Sequence, residues 1–329
     1  MRYTLFLGGW AEERAHRSVL PTQSGQKIRQ NLKDLNCTDG RCGRDRRRGC
    51  RFAKSALSDI AHPFSRRFDF MPRFAANLAY LFTERTLLER FGAAAAAGFK
   101  AVELQFPYDH APSAVRAELE KHGLTQLGVN TSVGGREGDS GLAAVPGRES
   151  EWEAVFTQAL DYTVAIGGKA IHCMAGKVPT EQRPAAEKTF IANIARAADL
   201  AQEKNVTLLL EPLNPRDRPN YFLNRIEQAA DIIAKVGRPN VKIQYDFYHV
   251  QIISGDLIRR FEGYQSLIGH VQIAAVPSRA EPDEGEIHYP GVFEALDRLG
   301  WAGWTACEYK PRARTEDGLG WGRKYGLGG

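Results

Sequence analysis

Thr207-Leu-Leu-Leu-Glu211 runs four residues into a carboxylate, and three later runs do the same with a polar end: Val241-Lys-Ile-Gln-Tyr-Asp246, Ile268-Gly-His-Val-Gln272 and Trp304-Thr-Ala-Cys-Glu308. Each run is short, apolar and bounded by turn residues, so each reads as a buried strand. A carboxylate at the tail of a buried strand costs several kcal/mol unless it is paired or binds a cation. Three acids and an amide in register therefore suggest one shared ligand. The polar residues stand 35, 26 and 36 residues apart, each gap about one strand–helix unit. Neighbouring strands would deliver all four to one face.

Working outward, the same alternation fills the chain from Arg73. Strands are expected over Phe74–Phe82, Ala101–Phe106, Leu124–Val133, Ala170–Met174, Thr207–Leu213, Val241–Tyr248, Ile268–Ala274 and Trp304–Tyr309. Between them lie helical patterns, the longest over Thr180–Lys204, and a Gly-rich loop over Gly134–Gly147. Eight strands, each but the last followed by a helix, specify a parallel (β/α)8 TIM barrel whose chemistry belongs at the C-terminal strand ends. Only Arg312–Gly329 follow Pro311, so the eighth helix is expected to be short or missing.

Charge divides the chain of 329 residues. Residues 1–70 hold 15 Lys+Arg against 7 Asp+Glu, a net of +8, while the rest carries 29 against 32, a net of −3. The basic balance thus belongs to the first segment and gives the barrel no reason to bind nucleic acid. That segment contains Arg44-Asp-Arg-Arg-Arg48 and Cys37, Cys42 and Cys50 without zinc-ribbon spacing. It also lacks the apolar core of a secretion signal. It reads as a poorly structured basic extension, with the barrel domain over 71–329 starting at Met71. No apolar stretch reaches membrane-spanning length. Isolated Cys173 and Cys307 suit a reducing, cytoplasmic setting.

Taken singly, each polar residue has an ordinary reading. Glu211 precedes Pro212 at a strand end, Asp246 can cap a helix, Gln272 can be a satisfied core amide, and Glu308 can pair with Lys310. Together they form a hard, all-oxygen set, which suits Mg²⁺ or Mn²⁺ rather than zinc. His270 falls two residues before Gln272, hence on the same side one layer deeper, and reads as a buried hydrogen-bonded group. His249 lies just beyond its strand and reads as a polar contact to substrate.

The stretches Leu210-Glu-Pro-Leu-Asn214, Tyr245-Asp-Phe-Tyr-His-Val-Gln251, Gly269-His-Val-Gln272 and Glu308-Tyr-Lys310 resemble the hydroxypyruvate isomerase family, close to the 2-oxo-tetronate isomerases, among the xylose-isomerase-like barrels. Pro282–Tyr289 is similar to the acidic loop of that family, departing from it at His288. The resemblance spans about Pro72–Trp321. It implies that Glu211, Asp246, Gln272 and Glu308 bind the divalent ion, with Glu211 and Glu308 as proton donor and acceptor. An aldose–ketose type isomerisation of a small hydroxy-carbonyl acid follows. Lys177 and Arg216 are candidates for holding the substrate's carboxylate, and Asn214, His249 and Gln251 for bonding its hydroxyls. A sugar epimerase or dehydratase on the same barrel, with His in place of Gln272, is the alternative. A zinc-dependent DNA-repair endonuclease or a non-catalytic binding barrel fits less well. No nucleic-acid or membrane partner is expected, and a homo-oligomer is left open.

Overall fold

The computed structural model describes residues 72–329, so the expected extension over residues 1–70 lies outside the described residues. The chain runs β1 (Arg73–Asn77), α1 (Leu87–Ala96), β2 (Ala101–Glu103), α2 (Pro112–His122), β3 (Thr125–Gln126), β4 (Gly128–Asn130), α3 (Glu149–Ala165), β5 (Ala170–His172), α4 (Arg183–Glu203) and β6 (Thr207–Leu210). It continues through α5 (Ile226–Val236), β7 (Val241–Asp246), α6 (Phe247–Ile253), α7 (Leu257–Tyr264), β8 (Ile268–Ile273), α8 (Tyr289–Arg298), β9 (Trp304–Cys307) and a short α9 (Thr315–Gly318). Local chemistry sets several of these ends. Glu89 reaches back to the backbone N–H of Thr86 at 3.0 Å and starts α1. Gly123 and Gly237 take the left-handed turns that end α2 and α5.

All nine strands pair in parallel in the order β3-β2-β1-β9-β8-β7-β6-β5-β4. The two outermost members are halves of a single run broken at Leu127. Leu127 N–H donates to Val102 O at 2.9 Å, while Leu127 O accepts from Lys169 N at 2.9 Å. Beyond it, Leu104 N donates to Gly128 O at 3.1 Å, and Gly128 also pairs with Ala170 of β5. The sheet therefore closes on itself as eight staves, the third split in two. A Cβ on Gly128 would stand 2.8 Å from Ala170 O, so the seam needs a residue without one.

The barrel of the sequence reading is present, with most strands shorter than expected and two instructive differences. The stave expected to reach Phe82 ends at Asn77, and Phe82 turns the chain at φ 59. The stave expected to reach Tyr248 ends at Asp246, because Asp246 caps α6 and starts a helix where a strand was expected. As expected, the C-terminal helix is short. It continues as a 3₁₀ turn over Leu319–Tyr325, whose Trp321 packs edge-on against Phe74 at 5.1 Å and beside Phe293 of α8, on the outer face of β1. No helix among the described residues is long and apolar enough to cross a membrane.

Candidate active site

The four strand-end residues converge at the C-terminal mouth, where all are buried: Glu211 at 4% exposure, Asp246 at 1%, Gln272 at 3% and Glu308 at 5%. Glu211 and Glu308 immediately follow β6 and β9, and Asp246 and Gln272 face each other in register across β7 and β8. Their side chains fall into two groups.

Glu211 and Asp246 form the first group. Oδ1 of Asp246 accepts the N–H of Tyr248 at 2.9 Å, capping α6. The other oxygen, Oδ2, has no hydrogen-bond partner, and neither has Oε1 of Glu211. Both face Nε2 of His249, at 3.7 and 4.0 Å. Ligand atoms of these three residues lie within 4.8 Å of one another. His249 is carried three residues beyond Asp246, one helical turn away. The backbone N–H of Asn214 donates to its Nδ1 at 3.1 Å. Nδ1 is therefore an acceptor, which puts the proton of the neutral ring on Nε2. A ring in that tautomer presents an N–H donor at Nε2 rather than a lone pair for a metal. The two unpartnered carboxylate oxygens fit a hard cation.

Gln272 and Glu308 form the second group, with a residue not anticipated from sequence. The Gln272 amide nitrogen donates to Glu103 Oε1 at 2.7 Å and to Oε2 of Glu308. Flipping the amide would set its oxygen against two carboxylates, so its orientation is fixed. Its Oε1 accepts from Gln244 at 2.8 Å and keeps one lone pair for a further partner. Glu308 also accepts from Asn77 at 3.1 Å, Gln105 at 3.3 Å and Arg279 at 2.6 Å. His270 bonds Glu103 Oε2 at 2.6 Å from the layer below, as its spacing predicts.

The electrostatics follow from burial. Desolvation, then the charges of Glu308 and Asp246, push Glu211 well above the usual carboxylate range. Burial raises Asp246 to about 6 and Glu308 to about 8, each opposed by Arg279. Burial alone would raise Glu103 too, but the charge and hydrogen bond of His270, with the hydrogen bonds of Gln272 and Asn77, hold it below the ordinary value. Three carboxyls that resist ionising together are a site that a divalent cation would relieve.

Lys177 and Arg216 lie exposed on loops, and no ion pair of either is found among the described residues. The cation brought among the carboxylates is instead Arg279, with Nη atoms 2.6 Å from Glu308, 3.7 Å from Asp217 and 4.0 Å from Asp246. Its guanidinium lies between the rings of Tyr80 and Tyr248, at 5.1 and 4.9 Å. Asn214, read as a hydroxyl contact, is fully buried and spends its amide on His249 and Asp217. Gln251 lies at the rim and donates to Glu286 at 3.4 Å. Glu103 carries the same signature as the quartet, an acid closing a short buried strand, and could have been read from it. No pattern in the sequence marks Arg279, which a loop delivers.

The xylose isomerase-like TIM barrel family matches residues 91–325. A 2-oxo-tetronate isomerase of Cupriavidus necator is 48% identical over 257 residues, covering 78% of this chain and 99% of that protein. A hydroxypyruvate isomerase of Escherichia coli is 40% identical over 260 residues, covering 78% of this chain and 100% of that protein. Among solved structures, a Brucella melitensis protein described as an AP endonuclease, family 2, superposes with a TM-score of 0.76 at 46% identity, covering 78% of this chain and 99% of that one.

Proposed function

This chain belongs to the xylose isomerase-like TIM barrel family, and from that premise we propose that its barrel isomerises a small hydroxy-carbonyl acid. Relatives 40–48% identical to it are isomerases of sugar acids, and the chain is an enzyme of that class. The favoured reaction interconverts hydroxypyruvate and tartronate semialdehyde, or a 2-oxo-tetronate and its 3-oxo isomer. One observation carries this reading. Two buried carboxylate oxygens without partners, Glu211 Oε1 and Asp246 Oδ2, lie beside a buried guanidinium, with Arg279 4.0 Å from Asp246. A hydroxy-carbonyl acid needs both features.

Mg²⁺ or Mn²⁺, held by Glu211 and Asp246 with the Gln272 carbonyl and Glu308 as further ligands, would supply Lewis acidity for an enediolate. The residues do the rest. Arg279 binds the substrate carboxylate, for which its planar fork is suited. The Nε2–H of His249 donates to a substrate oxygen. In hydroxypyruvate a proton must leave C3 and arrive at C2, while the hydroxyl proton moves from the oxygen on C3 to that on C2. Glu211 at the end of β6 and Glu308 at the end of β9 take the carbon-bound proton and return it. Tyr80 and Tyr248 keep Arg279 out of bulk water, which strengthens its hold on an anion.

The test is a proton NMR assay of the full chain with Mg²⁺ in D2O, given hydroxypyruvate, 2-oxo-tetronates, a neutral ketohexose and a duplex with an abasic site. Isomerisation with deuterium uptake from the acids alone is the expected result. Turnover of the ketohexose alone would favour an epimerase. Nicking of the duplex would favour the activity described for the Brucella protein.

A further inference from the structure

Beneath the site, inside the barrel, lies a cavity of about 20 Å³ with a polar wall that includes His172, Glu103, Gln244, His270, Asn77 and Gln272. His172 ends β5 and is 3% exposed, yet neither of its ring nitrogens has a hydrogen-bond partner. Leaving an imidazole so buried with both nitrogens unmatched forfeits its hydration with nothing in return. The wall shows what could satisfy it. Both amide hydrogens of Asn77 are committed to Glu103 and Glu308, and both of Gln272 to the same pair. His270 is committed to Glu103, and Gln244 donates once, to Gln272, leaving one amide hydrogen. On the other side, His172 Nδ1 stands 3.3 Å from Glu211 Oε2.

We infer that His172 is the positioning residue of Glu211 and that the cavity beneath it binds a structural water. The volume suits one water, which needs roughly 10–15 Å³ and two to four polar partners. An ionised Glu211 only accepts, so the ring carries its proton on Nδ1, and a small turn of the ring brings that N–H, already 3.3 Å away but out of line, onto Oε2. Nε2 is then an acceptor facing the cavity, where the water donates to it and accepts the remaining hydrogen of Gln244. With Oε2 tied down, Oε1 of Glu211 is the oxygen presented to Asp246 and to a cation. Outer partners of this kind orient metal ligands and are worth roughly 10–100-fold in affinity. The inference rests on the reading of Glu211 as a ligand and proton-transfer group.

Two measurements test it. In Mg²⁺-loaded protein labelled with ¹⁵N-histidine, two-bond nitrogen–proton correlations should show His172 protonated at Nδ1; a proton on Nε2 overturns the inference. By calorimetry, His172→Leu should bind Mn²⁺ roughly 10–100-fold more weakly and lose kcat more than KM. His172→Asn, whose amide N–H replaces the Nδ1 donor, should recover most of both. Equal Mn²⁺ affinity in the wild type and a folded Leu variant overturns the inference while leaving the proposed function intact. A wild-type protein that takes up no Mn²⁺ overturns both. Should the Leu variant not fold, the tautomer of the wild-type ring decides alone.

Discussion

The backbone N–H of Asn214 meets Nδ1 of His249 at 3.1 Å, and this contact decides where the imidazole keeps its proton. Because the donor is main chain, no side-chain substitution at position 214 removes it. His249 is thereby a donor to a substrate oxygen and not a ligand of the cation read between Glu211 and Asp246. His249→Gln should lower kcat by roughly 10²–10⁴-fold, the range for a lost proton-donating group. Its Mn²⁺ affinity, read by calorimetry, should stay near the wild-type value. A collapse of metal affinity would make His249 a ligand instead.

Glu308→Gln should keep the fold and abolish isomerisation, with kcat down by at least about 10³-fold. The carboxylate accepts from Asn77, Gln272, Gln105 and Arg279, and an amide cannot satisfy four donors. The melting temperature should therefore also drop by several degrees, about 2–4 °C per kcal/mol for a domain of this size. Near-normal turnover would remove Glu308 from the chemistry.

Divalent ions should stabilise the protein more as pH rises. Asp246 at about 6 and Glu308 at about 8 are raised in the folded state. Without metal the folded chain then binds more protons than the unfolded chain above the ordinary carboxylate range. The stability these protons give is fully present at acid pH and is lost as pH climbs through 6 to 8. A bound cation takes the place of the protons and flattens that slope. Melting curves with EDTA or with Mg²⁺ should diverge from pH 5 to pH 8, and EDTA should abolish activity that Mg²⁺ or Mn²⁺ restores. A gap that is widest at pH 5, or activity that survives EDTA, would contradict the metal assignment.

Arg279→Met should cost kcat/KM for the acid substrate about 10²-fold or more, since truncating a buried charge partner costs about 2–5 kcal/mol. A neutral analogue without a carboxylate, such as dihydroxyacetone, should lose far less in side-by-side kinetics. Equal losses on both would confine Arg279 to holding Glu308.

The barrel was legible because its runs repeat at the spacing of one strand and one helix, and burial makes such runs apolar. The quartet was legible because an acid at the end of an apolar run breaks the pattern that surrounds it. What stayed hidden depends on direction in space. Sequence does not say that Asp246 would give one oxygen to a helix cap and keep the other free, nor that Gln272 and Glu308 would bind each other. Lys177 and Arg216 were plausible from their places after strands four and five, yet their loops carry them to the surface. Arg279 comes from a loop whose path is set by tertiary contacts, including Lys310 N donating to Arg279 O at 2.8 Å.

The split stave at Leu127 has a meaning for how the molecule meets its own copies. Open sheets can grow by adding a foreign strand to a free border, which is a common route to uncontrolled aggregation. Here both borders belong to one short run, and its backbone is already shared between Val102 on one side and Lys169 on the other. Strand addition therefore finds no purchase along the barrel. Among the described residues, that leaves helix faces and loops as the surfaces a second copy would meet.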